Sequence, residues 1–241
     1  MRPGPVVDTA SAQEFMAETL ARVPAAVLGE IARDLARKSA ALRALLVDRR
    51  AEREELCQAL RWVFSTRRRA EGLVDVVGAE ALADGVADLL GSTHGVAERF
   101  DRFAALLAPV PEAAADLPGE LLHFTAPDRY WLWTRWMWDP DIETGALRLV
   151  TTEDVDLFGD SPGQTYLRVG QAVAFVDQTG KAAGFTDAGP GLFGVDVFLA
   201  AVYGVYMNTV LRMRMTQEFN RLVPDLPNLI RRLLGVYHLE G

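Results

Sequence analysis

The chain is read as mostly α: a multi-helix globular protein with room for one small β-hairpin near residues 130–152. Three observations support this. Apolar residues recur at three- and four-residue steps from Leu28 to Leu107. Short Gly, Pro or Ser/Thr breaks separate these stripes. The longest apolar run, Gly191 to Met213, has helical rather than strand length.

Residues 1–8, with Pro3 and Pro5, are expected to be a flexible tail, followed by a helical region over 9–112. Pro24 opens a helix in which Leu28, Ile31, Leu35, Leu42 and Leu45 form one stripe, interrupted by Lys38. Leu56, Leu60, Val63 and Phe64 give a second stripe. Arg67-Arg68-Arg69 closes it, where cations suit the negative end of a helix dipole. Leu73 to Val77, bracketed by Gly72 and Gly78, fits helix or strand. Ala79 to Leu90 is a helix. Gly91-Ser92-Thr93 stops it and caps the next, which carries Val96, Phe100, Phe103 and Leu107 and ends at Pro109 and Pro111.

Residues 113–119 read as a linker to a mainly helical region, 120–241, and the two halves are compatible with a single packed domain. Residues 128–138 fit both helix and strand. A helix over Asp128–Met137 is favoured, because Pro127 starts a helix well; as a strand, the segment would return through Ala146 to Thr152. Leu147 to Thr151 is the best strand candidate. Thr165 to Val176 suits a helix, with Tyr166, Val169, Val173 and Val176 along one side. A helix from Leu192 to about Phe219 and a short one from Asn228 to Tyr237 complete the chain.

Composition narrows function more than any motif does. The net charge is −8 over 241 residues, against a broad nucleic-acid surface, whose affinity rests on accumulated positive charge. The cations are nearly all arginine, the mark of a GC-rich bacterial genome. One cysteine, Cys57, allows no internal disulfide and fits a reducing cytoplasm. No secretory leader is read at the start. Asp196 and Asn208 inside the apolar helix oppose membrane insertion. If buried, Asp196 caps the helix start or needs a partner such as Arg129 or Arg135.

No complete catalytic or metal signature is present, so catalytic residues and cofactors stay unassigned. The acids Asp139, Asp141, Glu143, Glu153, Asp154, Asp156 and Asp160 fail the calcium-loop pattern at its glycine or its closing ligand. His94, His123 and His238 lack zinc spacing, so no metal is expected. Cys57 lies on an apolar stripe after Glu54-Glu55, which fits a buried structural thiol. Gly189 to Gly194 is not a phosphate loop, since no Gly-Lys-Ser/Thr follows. The dense basic patch Arg61, Arg67, Arg68 and Arg69, with Trp62 and Phe64 interleaved, fits a helix end, with RNA or an acidic partner as the functional alternative.

The most unusual stretch is Tyr130 to Trp138, which holds four of the five tryptophans within eight residues. Aromatic side chains dominate core and interface energetics. The expected role is therefore a non-catalytic accessory protein. It would bind a protein partner or itself through Tyr130, Trp131, Trp133, Trp136 and Trp138, with His123, Arg129, Arg135 and Asp139 at their edges, and through the Gly191–Met213 helix. The alternative is a small-molecule-binding protein or enzyme. Its aromatic pocket would be lined by His123, Asp128, Arg129 and Asp139, with Tyr166 pointing in.

Overall fold

A computed structural model describes residues 6–184, 191–214 and 224–237. Among them are ten α-helices and no strand, which agrees with the mostly α expectation. They are α1 (Thr9–Arg22), α2 (Ala25–Leu46), α3 (Arg53–Trp62), α4 (Ala70–Val77), α5 (Ala79–Gly91), α6 (Val96–Leu106), α7 (Asp116–Thr125), α8 (Pro162–Ala183), α9 (Gly194–Arg214) and α10 (Leu226–Leu233). Single 3-10 turns lie at Arg67–Arg69, Pro111–Ala113 and Ala146–Leu149. The chain divides into two units. One is built from residues 1–35, 136–155 and 172–241, the other from 36–135 and 156–171, so α2 and α8 contribute to both.

In the first unit, α9 packs against α1, α10 and the Ala146–Leu149 turn. Every residue from Val195 to Val202 is buried, which explains the near-continuous apolar run: a helix enclosed on several sides has no polar face to keep. No helix among the described residues is long and apolar enough to cross a membrane. Asp196, fully buried, falls in the first turn of α9, where the helix dipole favours an acid. Gly204 admits Leu226 at the crossing with α10; a Cβ there would meet Leu226 Cδ1 at 2.8 Å. Val6 to Asp8, assigned to the tail by sequence, are held. Asp8 N–H donates to Val150 O at 2.9 Å, Thr152 N–H donates to Val6 O at 3.0 Å, and the Asp8 carboxylate caps α1 through Ser11 N–H.

In the second unit, α7 is the centre. All ten of its residues are buried. Sequence placed a linker at 113–119, but α7 already begins at Asp116. Its carboxylates have internal partners. Asp116 accepts from Arg135 N–H at 2.8 Å, and Glu120 pairs with Lys38. Gly119 is required, because a Cβ there would strike the Trp133 carbonyl. The Arg67–Arg69 turn also differs from expectation. It does not close α3 but leads into α4, so its cations lie at the positive end of a helix. The start of α8 is held by Asp101, which accepts from Gly163 N–H at 2.7 Å and Ser161 Oγ–H at 2.8 Å.

Neither expectation for residues 128–138 holds. The segment from Ala126 to Trp138 is turns and extended chain, without helix or strand. The hairpin is absent too: residues 146–149 form a 3-10 turn, and only isolated bridges, Asp139 with Thr144 and Val7 with Thr151, occur nearby. Side-chain anchoring replaces the regular ladder along this segment. His123 and Tyr166 hold the carbonyls of Tyr130 and Trp131, and Asp116 holds the Arg135 N–H.

Candidate functional site

The two units divide the tryptophan segment between Arg135 and Trp136. In the second unit, Tyr130 to Arg135 is built into the interior. Trp133 is buried and stacks on Phe100 at 5.5 Å, and Phe100 stacks on Tyr166 at 4.9 Å. Trp131 is half-buried against Gly170. The Tyr166 hydroxyl donates to Trp131 O at 3.1 Å, and burial pushes its phenol far above the ordinary tyrosine range. Buried Arg99 donates to Leu89 O at 2.5 Å and to the Tyr130 hydroxyl at 2.9 Å. Arg135 Nη2 donates to Glu112 O at 2.8 Å.

Of the polar groups expected to line a pocket, His123 and Tyr166 are spent on this scaffold. His123 is buried, and its Nδ1–H donates to Tyr130 O at 2.8 Å. Asp128 and Arg129 are exposed, and Arg129 lies over the Tyr130 ring at 5.5 Å. Asp139 belongs to the other unit.

In the first unit, Met137 and Trp138 are core, and Arg148 lies over the Trp138 ring at 4.8 Å. Leu147 N–H donates to Met137 O at 3.0 Å. Gly145, at φ 144°, lets that strand-like approach occur, since a Cβ would collide with the same carbonyl. Asp139 closes the loop that follows. Its N–H donates to Thr144 O at 2.8 Å, and its carboxylate accepts from Asp141 N–H at 3.0 Å. Glu143 takes a left-handed conformation, φ 55°, and Ile142 stands out at 66% exposure.

Trp136 is the exception among the tryptophans of this unit. It is half-buried, and its ring lies 6.2 Å from Tyr203 of α9, which lies 6.1 Å from Tyr206. Tyr206 is exposed. Burial, then Tyr206, then Asp139 raise the Tyr203 phenol pKa, so the acidic loop stands beside this aromatic row. The Trp136 indole Nε1 is buried with no hydrogen-bond partner among the described residues.

Other candidates separate clearly. Cys57 is buried. His94 is exposed with Nδ1 3.1 Å from Glu98. His238, Gly189 and Pro190 lie outside the described residues. No three His, Cys, Asp or Glu side chains among the described residues are grouped to hold a metal. Sequence missed the buried Lys38–Glu120 pair, although Lys38 stands on the apolar stripe between Leu35 and Leu42. Comparison with known protein families, curated proteins and solved structures finds no match.

Proposed function

We propose that this chain is a non-catalytic interaction protein whose binding face is the row Trp136, Tyr203 and Tyr206 with the adjoining loop that carries Ile142. One observation carries the proposal: this aromatic row stays at the surface, whereas Trp133 and Trp138 are enclosed. Half-exposed Trp and Tyr are the side chains that most often anchor protein contacts. They offer large apolar area at low entropic cost, with polar tips that take hydrogen bonds at an interface. The partner is another protein or a second copy of this chain, and a buried lone thiol fits the reducing cytoplasm as its setting.

The catalytic alternative draws less support, because His123 is committed to a backbone carbonyl and Asp128 and Arg129 stand exposed. The test is the native complex, purified from its host and weighed intact, with wild type compared with the Trp136→Ala and Tyr206→Ala variants. Loss of the complex with the fold retained supports the proposal. An unchanged complex, or a chain that stays monomeric and alone throughout, overturns it.

A further inference from the structure

The second unit carries an independent surface of different chemistry. The Arg67–Arg69 turn and the first turn of α4 line an open groove of ≈ 620 Å³, within the range that takes small ligands and short peptide stretches. Arg61, Arg67, Arg68 and Arg69 line it together with Glu71 and Glu112. That is four guanidinium groups against two carboxylates, a local positive excess in a chain of net charge −8. Arg61 faces Glu71 at 2.7 Å, and Arg69 is paired with Glu112. Arg68 is exposed and makes no ion pair or hydrogen bond among the described residues. Helix α4 begins in the same groove without a side-chain cap, so the positive end of its dipole adds to the field. Apolar wall is present too: Val76 is 60% exposed and lines the groove with Pro109 and Val110.

Three successive arginines repel one another, and the exposed pairs beside them offset little of that cost. An anion in the groove would relieve it, and an aliphatic side chain would cover Val76. We propose that the groove binds an acidic peptide segment of a protein partner, its carboxylates on Arg68 and the neighbouring arginines and an aliphatic side chain on Val76 and Val110. A nucleic acid fits less well. The overall negative charge repels a long polyanion. No aromatic side chain lines the groove to stack on bases, which is how single strands are usually gripped. The groove shares no residue with the aromatic row of Trp136, Tyr203 and Tyr206, so the two proposals stand or fall separately.

The test titrates the full chain into a fluorescein-labelled peptide of alternating Asp and Leu and follows anisotropy. Saturable binding is expected. It should weaken about tenfold in Arg68→Glu, the scale of one lost charge-assisted hydrogen bond. Raising salt tenfold should weaken it further, as screening requires. Gly72→Asp places a carboxylate in the groove where a Cβ meets nothing within 4 Å, and it should also weaken binding. Val76→Ser should weaken it several-fold, and Tyr206→Ala should leave it unchanged. The proposal is overturned by absence of saturation, by indifference to both Arg68→Glu and Gly72→Asp, or by equal binding of a Lys-for-Asp peptide. Tighter binding of a uridine oligonucleotide than of the peptide would assign the groove to nucleic acid and overturn it as well. Indifference to Val76→Ser would refute the aliphatic contact.

Discussion

Lys38→Met is the sharpest probe of how the second unit is held together. The Lys38 side chain is 0% exposed and that of Glu120 4%. The ammonium also lies 4.1 Å from the Phe124 ring centroid, and the next residue, Ser39, donates to Phe124 O at 2.7 Å. Methionine keeps the length of the side chain but removes the charge, which leaves the Glu120 carboxyl of α7 buried without its partner. Breaking one side of a buried pair costs about 3–5 kcal/mol, a large share of the roughly 5–15 kcal/mol that holds a domain folded. The double variant Lys38→Met/Glu120→Leu removes both charges and should recover most of that loss, because the desolvation penalty disappears with the ions.

The pH dependence has a definite sign. Burial raises the Glu120 pKa, and Lys38 opposes that rise. A carboxyl whose folded pKa lies above its unfolded value contributes stability fully present below the unfolded pKa and lost as pH rises through the folded one. Without Lys38 the rise is larger. The penalty of Lys38→Met should therefore be greatest at alkaline pH and shrink as pH falls toward the ordinary carboxyl range near about 4.3. Urea unfolding of the four proteins of the cycle, at several pH values, measures this. A Lys38→Met cost below about 1 kcal/mol, the scale of an exposed pair, or one that does not change with pH, would refute the reasoning.

Three further outcomes follow from the packing. Trp133→Ala empties a stacked core site and should cost about 3–5 kcal/mol, whereas Trp136→Ala, at a half-exposed site, should cost far less; denaturant midpoints compare them. Gly119→Ala drives a methyl group into the Trp133 carbonyl and should destabilise by about 1–3 kcal/mol or more, while Gly72→Ala, with open space around it in α4, should stabilise by about 0.5–1 kcal/mol; thermal melts should move in opposite directions. Tyr166→Phe loses the hydrogen bond to Trp131 O and should cost about 1 kcal/mol, and alkaline ultraviolet titration should show one phenol fewer that resists ionisation in the folded protein.

The helices were legible because their apolar stripes are long. Leu28 to Leu45 and Val96 to Leu107 announce α2 and α6 through spacing alone, and the caps and prolines place their ends within a few residues. The segment from Ala126 to Trp138 was not legible. Its shape comes from anchors distant in sequence, such as Tyr166 on the Trp131 carbonyl and Asp116 on the Arg135 N–H, and no local periodicity records them. Helix α7 was misread for a related reason. Pro118 and Gly119 look like loop chemistry until Trp133 is placed against them. The tryptophan cluster stood out at once, but the setting of Trp136 depends on neighbours in α9. Tyr203 and Tyr206 are invisible as partners of Trp136 in the one-dimensional pattern.

The most direct test of the aromatic row as the binding face is site-specific photocross-linking in the native host. A photoreactive phenylalanine placed at Tyr206 should give one discrete protein adduct, absent when Trp136→Ala is added, while the same group at exposed Leu20, on α1, gives none. No adduct at Tyr206, or an adduct pattern shared with Leu20 and unaffected by Trp136→Ala, would contradict the account.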